Sequence, residues 1–168
     1  MEQVNIGEKY VAFWGSEFSN FYPCAINLEG HTWGCSEQYF MWKKAITFND
    51  KEIANQIWYT PDPKEAKKLG RKIKGFSDEV WDKVKEQVMY DVVLAKFTQN
   101  TTLANLILSS EFDNKHFVEG SPYDQIWGVG IIFSDPAIMD EKNWKGKNLL
   151  GKTLDMVRDK MKKREVAY

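Results

Sequence analysis

The sequence predicts an α+β fold in which helix dominates and strand is confined to a small element. Three observations carry that expectation. Apolar residues recur at helical period through the middle and end of the chain, and several of these stretches begin on residues that cap helices. The β-prone runs are short and do not alternate with the helices as a doubly wound sheet requires. No low-complexity stretch, repeat or linker interrupts the 168 residues, so the reading is one domain over 1–168 with its core at about 10–160.

Strands come first. Residues 10–14 are apolar and β-prone, and residues 24–28 and 31–33 flank Glu29-Gly30, a hairpin turn signal. Ser36 is placed to cap a helix over 37–46, its hydroxyl accepting from the free amides of the first turn. Asn49 with Glu52 has capping-box spacing for a second helix, whose Ile53, Ile57 and Trp58 recur at helical period. Asp62-Pro63 is a capping carboxylate followed by proline at the first helical position, and Gly70 closes that third helix.

Ser77 caps the longest helix, 78–97, with Trp81, Val84, Val88 and Val92 as its apolar stripe and Phe76 at staple spacing to Trp81. Thr101 caps a short helix over 102–108. Two β-prone runs follow at 116–118 and 126–133, then a loop over 134–144. The last helix carries Leu150, Leu154, Val157 and Met161 on one face and ends in basic residues that suit its dipole.

Composition excludes several function classes. The net charge is −1 with both signs mixed throughout, so no bulk field draws the chain to nucleic acid or an anionic membrane. No apolar run approaches the roughly 20 residues that span a bilayer. The residues after Met1 lack a signal-peptide pattern, so the expected location is cytoplasmic. Cys24 and Cys35 lack C-x-x-C spacing and read as free thiols. His31 and His116 are isolated, with no ligand cluster for zinc and no Ser-His-Asp or Cys-His setting; neither metal nor cofactor is expected. The aromatic fraction, 14% with 7 Trp, suits either a bulky core or a cleft that stacks against flat rings.

Three constellations can carry chemistry. Glu37 stands in the first turn of its helix, where a carboxylate by default complements the dipole, but Trp33, Tyr39 and Phe40 give it an aromatic setting. Lys44, seven residues on, lies two turns along the same stripe, about 10 Å of rise away, too far for a direct ion pair and suited to gripping two ends of a sugar. Around Asp124, Trp127, Gly128 and Gly130, the glycines would let backbone approach a ligand, Trp127 could stack or fill the core, and Asp124 is by default a turn former. Lys147 and Asn148 begin the last helix, where free amides and lysines could seat a phosphate, although the Walker order is absent.

Taken in order, these segments resemble the NADAR, or YbiA-like, family. The resemblance is carried by Phe18-Ser19-Asn20-Phe21-Tyr22-Pro23, by Gly30 to Trp33, by Ser36-Glu37-Gln38-Tyr39-Phe40 with Lys44, and by Ala66-Lys67-Lys68-Leu69-Gly70-Arg71. It continues through Trp81 to Met89, Ala95-Lys96-Phe97, Val118-Glu119, Asp124 with Trp127-Gly128, and Gly146-Lys147-Asn148-Leu149-Leu150-Gly151. It implies hydrolysis of an N-glycosidic bond to a phosphorylated ribose, with a small nucleotide or ADP-ribosyl substrate. Family substrates include riboflavin-pathway intermediates and ADP-ribose on guanine, so modified guanine in DNA is one partner it implies. It also implies that Glu37, Lys44 and Asp124 are catalytic. Asn20, Trp33, Arg71, Trp127, Gly128, Lys147 and Asn148 become candidate substrate contacts: Asn20 on the ribose, Arg71 on phosphate, Trp33 or Trp127 on the base.

Gln38 stands where the family commonly has His, and Met41-Trp42 replaces a more polar pair. Residues 131–144 also make an enlarged loop before Lys145, and all three departures bear on the substrate more than on the reaction class. The competing expectation is a non-catalytic module that binds ADP-ribose or a nucleotide as a sensor or sequestering protein; a structural interaction domain is a weaker third.

Overall fold

A computed structural model describes residues 3–166, and these divide into two compact units. One combines the segment up to Ser19 with the segment from Thr101 onward; the other is Asn20–Asn100.

The first unit is built on a three-stranded sheet in the order β1 (Val4–Ile6), β2 (Tyr10–Phe13), β5 (His116–Glu119). β1 pairs antiparallel with β2, Ile6 opposite Val11, and β5 pairs parallel with β2, Phe13 opposite Glu119. β1 is a strand that apolar content does not announce. One sheet face meets Val129, Ile131 and Ile138 around Tyr10, Ala12 and Val118. Phe13, Phe18, Phe112 and Phe117 form an aromatic cluster with centroids 4.8–5.7 Å apart. The short α5 (Thr101–Ile107) begins one residue before its expected start, and α6 (Leu149–Val166) packs on β5. Leu150, Leu154, Val157 and Met161 are buried along α6, the stripe its periodicity predicts.

The expected strand over 126–133 does not form. Backbone there accepts instead from the residues that start α6: Lys147, Asn148, Leu149 and Leu150 donate to the carbonyls of Gln125, Gly128, Ile126 and Trp127. Gly130, at φ +72°, turns the chain out of the extended conformation a ladder needs. The expected loop over 134–144 contains two short 3₁₀ turns, Pro136–Met139 and Glu141–Asn143.

The second unit opens with the predicted hairpin, β3 (Ile26–Leu28) to β4 (His31–Trp33). Glu29 and Gly30, at φ +51° and +75°, make its two-residue turn. Helix α1 (Ser36–Thr47) follows and packs against α2 (Lys51–Trp58), α3 (Pro63–Gly70) and α4 (Asp78–Gln99). Two caps differ from expectation by one residue. Cys35, not Ser36, is the N-cap of α1 and offers no side-chain cap, because Ser36 is already helical. Asp50, not Asn49, caps α2 and accepts from Ile53 N; Asn49 takes a positive φ of 57° to reverse the chain before it. Asp62 and Ser77 cap α3 and α4 as predicted. Phe76 and Trp81 meet through Phe48, which lies 5.2 Å from the first and 6.4 Å from the second.

Candidate active site

Helix α1 carries the first grouping. Glu37 is 8% exposed, in the first turn, and its backbone N–H donates to the carbonyl of Asn20 at 3.1 Å. That bond satisfies one of the amides a helix start leaves open. Asn20 and Ser36 are also buried, and neither Asn20 Oδ1 nor Ser36 Oγ has a hydrogen-bond partner among the described residues. A buried oxygen without a partner costs about 1–3 kcal/mol, a cost a bound hydroxyl or amide would relieve.

Lys44, two turns on, is half-buried. Its ammonium lies 4.5 Å over the ring of Phe76 and 3.5 Å from the carbonyl of Gly70. Burial lowers its pKa below the ordinary lysine value; Glu37 and Asp78 raise it in part, and Arg71 lowers it further. Glu37, Lys44 and Arg71 therefore act on one electrostatic neighbourhood, as the spacing of the first two predicts. Arg71 follows the last turn of α3 and is exposed, with no hydrogen bond or ion pair from its guanidinium among the described residues.

Trp33 departs from its expected role. It is fully buried, its indole N–H donates to Leu28 O at 2.9 Å, and His31, Tyr39, Trp42 and Trp58 surround it at centroid distances of 4.5–5.5 Å. No ring face is left for a base, so Trp33 is core. Gln38 is as thoroughly built in: its carbonyl accepts from Gly34 N at 2.8 Å and its amide donates to Ile57 O and Trp58 O. The departure from the family's usual His thus falls on a clamp joining the turn after β4, α1 and α2. Sequence gave no signal for this, because Ile57 lies 19 residues away.

The second grouping lies in the interlocked loop of the other unit. Asp124 Oδ1 accepts from Ile126 N at 2.9 Å and Trp127 N at 2.8 Å, the turn-forming arrangement its default reading anticipates. Asp124 and Trp127 are half-buried. A Cβ at Gly128 would stand 2.9 Å from Asp124 O and 3.0 Å from Glu119 O, so the close approach this glycine permits is to the chain itself and not to a ligand. Asn148 is buried at φ +54°, and its side chain pairs with β5 like a short strand: Oδ1 accepts from Glu119 N and Nδ2 donates to Phe117 O, both at 3.0 Å. The phosphate seat expected at the start of α6 is likewise closed, since the amides of residues 147–150 already donate to carbonyls of residues 125–128. Lys147 remains exposed.

Cys24 and Cys35 are free thiols, and burial pushes Cys35 up to about 11. Among the described residues no group of three or more His, Cys, Asp or Glu could hold a metal ion, and no helix is long and apolar enough to cross a membrane.

Comparison with known proteins gives a consistent set of likenesses. The family model described as NADAR domain matches residues 12–162. Protein irg-1 of Caenorhabditis elegans is 37% identical over 160 residues, covering 86% of this chain and 74% of that protein. N-glycosidase R617 of Acanthamoeba polyphaga mimivirus is 34% identical over 165 residues, covering 90% and 96%. The NMR structure of the E. coli protein YbiA superposes with a TM-score of 0.78 at 29% identity, covering 99% of this chain and 92% of that one.

Proposed function

This chain belongs to the NADAR family, and from that membership we propose that it is a hydrolase of N-glycosyl bonds whose substrate joins a base or amine to a phosphorylated ribose. Relatives named N-glycosidases support the reaction class. The observation that carries the proposal is the stripe on α1: a buried carboxylate, Glu37, and a half-buried amine, Lys44, coupled electrostatically beside the unpaired guanidinium of Arg71.

N-glycoside cleavage develops positive charge on the sugar as the base departs. A carboxylate held away from bulk water stabilises that charge more strongly than it would in solvent, and the same group orients the attacking water. Asn20 Oδ1, buried and without a partner, is the acceptor for a ribose hydroxyl. Arg71 meets the phosphate, because a free guanidinium offers bidentate donors. Lys44 holds a hydroxyl or phosphate oxygen from its seat over Phe76.

The burial that lowers Lys44 favours a second route for the same residue. A neutral amine adds to C1, the C1–base bond breaks with the base leaving protonated, and the ring-opened imine is then hydrolysed by water to free ribose and the amine. Borohydride treatment during turnover distinguishes the two: a reduced adduct on Lys44 supports the imine, and turnover with no adduct supports the purely electrostatic role.

For substrate, we propose ADP-ribosylated guanine or a riboflavin-pathway intermediate. The test incubates the protein with ADP-ribosylated guanine DNA, NAD and riboflavin precursors and reads products by mass spectrometry. A released base with its ribosyl partner from one of them is the expected result. Tight binding without product from any would replace the proposal with a non-catalytic sensor.

A further inference from the structure

The opposite side of α1 carries a cavity that the glycosidase reading does not use. Trp42 lies five residues beyond Glu37, about 140° around the helix, so it faces away from the Glu37–Lys44 stripe. Between α1 and α2, Trp42 and Trp58 form an aromatic wall, with Ile46 and Ala54 beside it and Lys51, Asn55 and Tyr59 completing the lining of a space of about 410 Å³. That volume falls within the range of small-molecule sites.

Its chemistry is directional. The two indoles are 5.7 Å apart at 58°, too close to admit a ring between them, so a flat ligand would lie against the wall. Trp33 and His31 back Trp58 from within, His31 at 3.9 Å, which fixes the wall before anything binds. Neither indole N–H of Trp42 and Trp58 has a hydrogen-bond partner among the described residues, nor has the ammonium of Lys51 or the amide of Asn55. Tyr59, 75% exposed, and Ile46, 41% exposed, leave apolar surface open at the edge. Unpaired donors outnumber acceptors, and the free charge in the lining is positive.

We propose that this groove binds a flat heteroaromatic ring bearing a phosphate: the ring lies on Trp42 and Trp58, its acceptor edge meets the indole N–H groups and Asn55, and Lys51 pairs with the phosphate. A free mononucleotide and a nucleotide within a single strand share this chemistry. The proposal stands independently of the glycosidase reading, because its residues lie on the other face of α1.

The test follows the indole N–H resonances of Trp42 and Trp58, assigned with Trp42→Phe and Trp58→Phe, during titration with AMP, adenosine, inorganic phosphate and a short single-stranded deoxyadenosine oligonucleotide. AMP should shift both resonances saturably, more tightly than adenosine or phosphate alone. Lys51→Glu, an exposed rim change that spares the fold, should weaken AMP by at least about tenfold, whereas Glu37→Gln should leave the titration unchanged. Binding of the oligonucleotide about tenfold tighter than AMP identifies a strand as the source; equal affinity identifies the free nucleotide. The proposal is overturned if no probe shifts either resonance, if Lys51→Glu has no effect, if Glu37→Gln abolishes the shifts, or if the resonances move with protein concentration alone, which marks the groove as a contact between copies of the chain.

Discussion

The backbone N–H of Glu37 donates to the carbonyl of Asn20 at 3.1 Å, tying the candidate catalytic residue to the loop that enters the second unit. The bond fixes the first turn of α1 from outside the helix, at a point where Cys35 supplies no side-chain cap. Glu37 is thus held at its backbone by a residue outside the helix.

Lys44 reports the electrostatics of the stripe. Its folded pKa lies below the unfolded value, so the ammonium destabilises the fold at pH below the folded value, and that penalty fades as pH rises through the folded and then the unfolded value. NMR titration of the lysine amine should find it below 10.5. Glu37→Gln or Asp78→Asn should lower it further by removing a supporting anion; Arg71→Ala should raise it by removing a repelling cation. An unchanged Lys44 titration in all three variants would contradict the coupling.

Asp124 engages two backbone amides through one oxygen, which an asparagine can imitate and an alanine cannot. Asp124→Ala should lower thermal stability by about 1–3 kcal/mol, while Asp124→Asn should keep it. If Asp124→Asn melts like the wild type but loses about 10²-fold or more in turnover, the charge of Asp124 is catalytic. Full activity in Asp124→Asn would leave it a turn former.

Asn148 should prove structural. Asn148→Ala strands the Glu119 N–H and the Phe117 carbonyl and places alanine at a positive φ, so unfolding by denaturant should show a loss of about 2–4 kcal/mol. Affinity for phosphate-bearing ligands, measured on the folded fraction, should not change. Wild-type stability with weakened phosphate binding would return Asn148 to the ligand.

What was legible in the sequence was local. Asp62-Pro63, Ser77 and Glu29-Gly30 act through neighbours two to four residues away, and each forms the predicted cap or turn. The Glu37–Lys44 stripe follows from helical period alone. The errors are non-local. The run over 126–133 has strand composition, but its carbonyls answer amides about twenty residues later, and no periodicity encodes that exchange. Trp33 carries the same side chain whether it faces a ligand or four other rings, and Gln38 acquires its clamp from α2. β1 became legible only through its pairing with β2.

The most direct test of the account is the turnover of Glu37→Gln on the N-glycoside that the wild type cleaves, measured beside its melting curve. The substitution preserves shape and the backbone bond to Asn20 while removing the charge. Glu37→Gln should show a native-like melt, retained substrate binding and a fall in turnover of about 10²–10⁴-fold. Near-normal turnover by the folded variant would contradict it.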